Sequence, residues 1–295
     1  MRLMKRAGLG AVALAALVAG STLQADAQSS PPAKAKPPAQ PDRTPIPVWV
    51  FKPKSSPYVA PNKPVWHIAD ILAAHKGRTD WSQQVIKDRW FNVSYVSMGP
   101  DKKTPVSFEA DDVIWFVVKS GQIRFTVKGH DPFVATKDFI VQIPMRTPYS
   151  METVGNAPSV RLQVRTAGDA PVFPVADNPS PPAAPAGFET VKVTYRAPNT
   201  PPNPSQKLAL DYDKDVEQNP NPPEHHGPNF FVQSARAFAV PIRSAPAPVA
   251  ADDVGHFHTG LAEFWYVLEG DMDTRIEGQG VVHAHYRFRR VLHAL

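Results

Sequence analysis

Residues 255–270 read Gly-His-Phe-His-Thr-Gly-Leu-Ala-Glu-Phe-Trp-Tyr-Val-Leu-Glu-Gly. The reading of this stretch decides the fold, because it packs His256, His258 and Glu263 into a few residues beside a strand-like run. In an extended strand, residues two apart point to the same face, so His256 and His258 are expected to project together. Four residues separate His258 from Glu263, which leaves room for a tight turn at Thr259-Gly260 into a second strand. Residues 263–268, Glu-Phe-Trp-Tyr-Val-Leu, are rich in the aromatic and β-branched types that strands favour. Gly270 is expected to close that strand at a turn. Two imidazoles and a carboxylate converging in a sheet form a donor set that suits a divalent transition metal.

The spacing resembles the first conserved motif of the cupin superfamily: His-x-His, four residues, Glu, six residues, Gly. His256, His258, Glu263 and Gly270 fill its fixed positions. The resemblance implies an all-β chain built of two cupin-type barrels (double-stranded β-helix, or jelly roll). It also implies His256, His258 and Glu263 as ligands of a divalent transition metal: manganese, iron, nickel, copper or zinc. In the family a second motif supplies a further histidine.

The chain has 295 residues, 34 of them Pro and 16 Gly, and no cysteine. So many prolines favour short strands joined by Pro-bearing loops. The absence of cysteine excludes disulfides, thiolate metal sites and Cys nucleophiles. At the N-terminus, Arg2, Lys5 and Arg6 precede the apolar run Leu9–Gly20, and Ala25-Asp26-Ala27 fits a small-x-small cleavage site. Residues 1–27 therefore read as a signal peptide cleaved after Ala27, and the protein as periplasmic or secreted with no stable membrane insertion afterwards. Removing Arg2, Lys5, Arg6 and Asp26 lowers the net charge from +5 to +3. So mild a charge gives no reason to invoke nucleic acid.

Residues 28–64 form a Pro-rich linker with too few apolar side chains to build a core. Val65 to Lys76 carries apolar residues at helical spacing, with Ile68, Ile71 and Leu72 on one face and Gly77 as the stop. His67 and His75 near it lack close ligand partners and read as structural or solvent-facing. Domain one, residues 65–170, contains strand-like runs at 90–98, at 113–129 with Gly121 in a turn, at 138–144 and at 160–167. It resembles a cupin domain that has lost its metal. Aligning Trp115-Phe116-Val117-Val118 with Trp265-Tyr266-Val267-Leu268 leaves only Glu109, Asp111 and Asp112 where the His pair stands. In the second motif Pro144 fits, and Tyr149 or Ser150 replaces the histidine. Residues 171–186 read as a Pro/Ala linker and 187–295 as the second cupin domain, opening with a strand at 188–195. His225 and His226 are adjacent in a Pro- and Asn-rich stretch, and adjacent side chains of an extended chain point apart.

No Pro or Gly follows Gly280, so a Pro-x-Gly-x-x-His second motif is missing and the second barrel reads as incomplete. The residues after Gly280 fit an out-of-frame or truncated end. They also fit a short form in which His283, His285 or His293 serves as a fourth ligand, or a barrel completed by a partner chain. Two classes of function stay open. One is an exported metal enzyme of dioxygenase or decarboxylase type on a small organic molecule. The other is a non-catalytic small-molecule-binding or scaffold protein. In either class the chain could form a homo-oligomer.

Overall fold

From Ile114 to Val118 the chain is apolar at every position, and it is buried on both faces. A strand of that kind needs a cover on each side, and the rest of the fold supplies both. The computed structural model describes residues 49–52, 54, 55, 57–174, 177, 183, 207–218, 231–242 and 255–294. The expected signal peptide, residues 28–48 of the Pro-rich linker, most of the 171–186 linker, the strand at 188–195, and His225 and His226 lie outside the described residues.

The described chain is all-β with two short helical pieces. Helix α1 (Ile68–Ala74) is followed by β1 (Trp81–Lys87), β2 (Phe91–Met98), β3 (Phe108–Glu109), β4 (Ile114–Ser120) and β5 (Gln122–Val127). Then come β6 (Phe133–Ala135), β7 (Phe139–Ile143), β8 (Tyr149–Val154), β9 (Ser159–Thr166) and β10 (Pro171–Val172). Further on are β11 (Ala209–Asp211), a π-helical turn (Asp213–Glu217), β12 (Val232–Gln233) and β13 (Phe238–Ile242). A long hairpin of β14 (Phe264–Ile276) and β15 (Gly280–Ala294) ends the described chain.

Six strands form one sheet in the order β1-β2-β9-β4-β7-β11, and β6-β5-β8 form a second. The period of two along each strand sorts the side chains. Ile114, Phe116 and Val118 of β4 turn inward, with Val141 and Ile143 of β7, onto Ile123, Phe125 and Val127 of β5 and Tyr149 and Met151 of β8. Trp115 and Val117 turn outward with Val93 and Tyr95 of β2 and Leu162 and Val164 of β9. Ile71 of α1, Val216 of the π-helical turn, Val232 and Leu268 cover that outer face. Phe264 stacks on Trp115, with ring centroids 6.1 Å apart and planes 6° from parallel. Gln142 is a further tie: its amide donates to the carbonyls of Lys207 and Phe231, both at 2.7 Å.

Several local expectations are corrected. Gly121 is not the turn of a β4–β5 hairpin, because β4 pairs with β7 and β9 while β5 pairs with β6 and β8. It is the corner where the chain passes between sheets, at φ 73° with the Pro158 carbonyl oxygen 2.6 Å from where a Cβ would stand. Gly270 does not end its strand. It sits at a register shift within β14, at φ 101°, and pairing continues to Ile276. Leu72 does not share the buried face of α1; it is exposed while Ile71 is buried. Pro171–Val172, within the expected linker, pair with β3. Residues 280–294 form β15, between β13 and β14. Among the described residues no helix is long and apolar enough to cross a membrane.

Gly121→Ala combines a left-handed backbone with a backbone clash, and is expected to cost at least about 2 kcal/mol. Urea unfolding checks this as a lower midpoint at unchanged slope.

Candidate metal centre

His256 and His258 lie in the irregular segment that leads into β14, and Glu263 is the residue just before that strand. The expectation that both histidines stand on a strand is therefore corrected: residues 255–263 are loop, bent at Thr259-Gly260. The loop still brings the side chains together. His258 Nε2 lies 2.7 Å from Glu263 Oε2, and His256 Nε2 lies 3.3 Å from the same oxygen. The two imidazoles meet edge to face, centroids 5.1 Å apart. One donor atom from each residue falls within 4.8 Å of the others, the one such group found among the described residues. Phe264, locked on Trp115, fixes Glu263 at the end of a packed strand.

This geometry fits a metal. Donors bound at about 2.1 Å to one ion and roughly at right angles stand about 3 Å apart. The two nitrogen–oxygen separations bracket that value. The side chain of Glu263 is 13% exposed, that of His258 30% and that of His256 69%, so the site is closed on the carboxylate side and open to water at His256. Two facing sheets with an inward core fit the all-β double-stranded β-helix expected from the sequence. The fold is that of a cupin.

Solved structures similar to parts of this chain include three. One is the cupin domain of Cnp3 from Schizosaccharomyces pombe, at 22% identity over 29% of this chain and 63% of that one, TM-score 0.27. Another is the DMSP lyase DddQ from Ruegeria pomeroyi DSS-3, at 17% over 35% and 55%, TM-score 0.30. The third is a mutant oxalate decarboxylase OxdC from Bacillus subtilis, at 18% over 31% and 26%, TM-score 0.29. The chain spans less than two thirds of the length of each of these three. No protein-family model matches the chain. No curated protein sequence matches it.

A cavity of about 290 Å³ adjoins the centre, between the outer face of the six-stranded sheet and the β14–β15 hairpin. Glu263 lines it with Trp66, Tyr95, Tyr266 and Met272, and Lys63 and Lys119 are cations on its wall. Sequence reasoning missed Lys119. Its signal was a lone charge closing the apolar run 114–118.

Of the suggested fourth ligands, His283 is paired across the hairpin with Asp273, Nδ1 to Oδ1 at 2.6 Å. Asp273 stands ten residues along β14 from Glu263, roughly 30 Å in an extended strand. His285 registers with Asp271, and only His293, opposite Trp265, registers beside the centre.

Within residues 65–170 the acidic candidates do not converge. Asp112 accepts from the Thr166 hydroxyl and the Val113 amide. Glu109 faces Arg165, Oε1 to Nε at 3.1 Å. Tyr149, at the missing histidine's position, is buried in the inner core, and its backbone pairs with Ser107. Burial pushes the Tyr149 phenol up to about 12. Burial also raises the Glu109 carboxyl, against the opposing pull of Arg165.

Two outcomes follow from these arrangements. Co²⁺ titrated into the full chain should give visible ligand-field bands, with His258→Ala weakening binding by more than about 100-fold. The raised Glu109 carboxyl favours the protonated fold. Its contribution is present below the unfolded value of 4.5 and is lost as pH rises through the folded value. Glu109→Gln should therefore flatten the change in urea midpoint that the native protein shows across that window.

Proposed function

We propose that the chain is an exported two-domain cupin whose second domain, residues 187–295, binds a divalent transition metal on His256, His258 and Glu263. In this reading it acts as a dioxygenase- or decarboxylase-type enzyme on a small organic acid or phenol. The observation that carries it is the meeting of both imidazoles on one Glu263 oxygen at the edge of a cavity. A bound ion there would supply a Lewis acid with open coordination positions. Glu263 supplies charge neutralisation, and its packed position after the loop orients both histidines. Trp66, Tyr95 and Tyr266 offer flat apolar walls, and Lys119 offers a positive charge for an acidic or phenolic group. Export is supported by Arg2, Lys5 and Arg6 before an apolar run and by Ala25-Asp26-Ala27.

A second reading, a non-catalytic small-molecule-binding cupin, is favoured by the open side of the centre. The His256 side chain is 69% exposed, and a site that excludes water so poorly is weakly built for catalysis.

The metal-loaded full chain, presented with a panel of small organic acids and phenols, separates the two readings by oxygen uptake and carbon dioxide release. The enzyme reading expects turnover that Glu263→Gln abolishes and that Lys119→Met weakens mainly through KM. Saturable binding without turnover would select the binding protein.

A further inference from the structure

The inner face of the first barrel carries a guanidinium that nothing described there balances. Along β9, Val160, Leu162 and Val164 face outward, so Arg161, Gln163 and Arg165 face inward. Register agrees: Arg161 stands between Val118 of β4 and Val96 of β2, and Val118 belongs to the inner core. Arg161 is 3% exposed. Its Nε and Nη1 atoms are buried without a hydrogen-bond partner, and among the described residues it makes no ion pair. Burial lowers its pKa to about 10, which leaves it charged at neutral pH.

Its surroundings do not neutralise it. The titratable groups that act on it are the Tyr149 phenol, which is neutral at neutral pH, and the cationic Arg165. The buried carboxyl of Glu109 faces Arg165, Oε1 to Nε at 3.1 Å, and is not among the groups that act on Arg161. Two guanidiniums and one carboxyl leave an excess positive charge inside an apolar barrel. Buried charges in folded proteins are paired or hydrogen-bonded. A planar guanidinium with free N–H groups matches a carboxylate in shape and charge.

We propose that the interior of the first barrel is an anion site in which Arg161 takes a small organic carboxylate. The apolar tail of such a ligand would lie toward the inner core that Phe116, Phe125 and Met151 build. The site is separate from the metal centre. Leu162, the next residue of β9, lines the cavity beside Glu263 on the opposite face of the same sheet. Its occupation does not depend on the metal reading.

The test uses the full chain freed of carboxylates by dialysis, with acetate, butanoate and benzoate as probes against sodium chloride at equal ionic strength. Thermal melting and titration calorimetry should both report a saturable response to at least one carboxylate. Arg161→Lys should weaken that response by at least about tenfold, because it keeps the charge and loses the planar donors. Arg161→Met should abolish it while leaving the melting temperature without ligand equal to or above that of the native protein, because an unbalanced buried charge has been removed. Arg165→Gln checks that the loss belongs to Arg161. Two results would overturn the proposal. One is no saturable carboxylate response in the native protein. The other is an Arg161→Met protein that melts lower than native, which would mean that Arg161 already has its partner within the chain.

Discussion

The structure depends on one sheet that is apolar on both sides. Residues 114–118 leave no polar face, so the six-stranded sheet must be covered inside and out. The inner cover is the three-stranded sheet β6-β5-β8, packed on the inner core. The outer cover is assembled from pieces far apart in sequence, including α1, the π-helical turn and the start of β14. Burying a side chain the size of Trp115 or Phe264 contributes about 2 kcal/mol or more, and the stacking of this pair fixes where β14 begins. Glu263 stands one residue before that stack. Hydrophobic cover thus places the His256, His258 and Glu263 cluster at the start of β14.

That arrangement explains why a loop can hold a constellation expected on strands. Glu263 is anchored by the strand that follows it, and both histidines reach back to its one oxygen. The consequence is asymmetry: a protected carboxylate and an open His256. The cavity lies on the protected side, with Lys119 on its wall.

The cluster of His256, His258 and Glu263 and the all-β class were legible in the sequence because both rest on local patterns: a fixed spacing at 256–263, and β-branched and aromatic runs at 91–98, 114–118 and 139–143. What was not legible depends on partners distant in sequence. A period of two says that Arg161 and Leu162 face opposite ways. It does not say that Arg161 faces inward, because that follows from pairing with Val118 and Val96. Gly121 and Gly270 both invited the reading of a turn. Only the sheet assignments distinguish a corner between sheets from a shift of register within a strand. Leu72 kept helical spacing yet stayed exposed, since α1 is one short element whose covered side is set by the sheet beneath it.

The central claim is that His256, His258 and Glu263 hold a metal ion. Elemental analysis of the purified full chain tests it most directly, with the His256→Ala/His258→Ala double variant prepared alongside. The account predicts close to one divalent transition ion per folded native chain and none in the variant. A folded native protein free of metal, even after exposure to manganese, iron, nickel, copper or zinc, would contradict it.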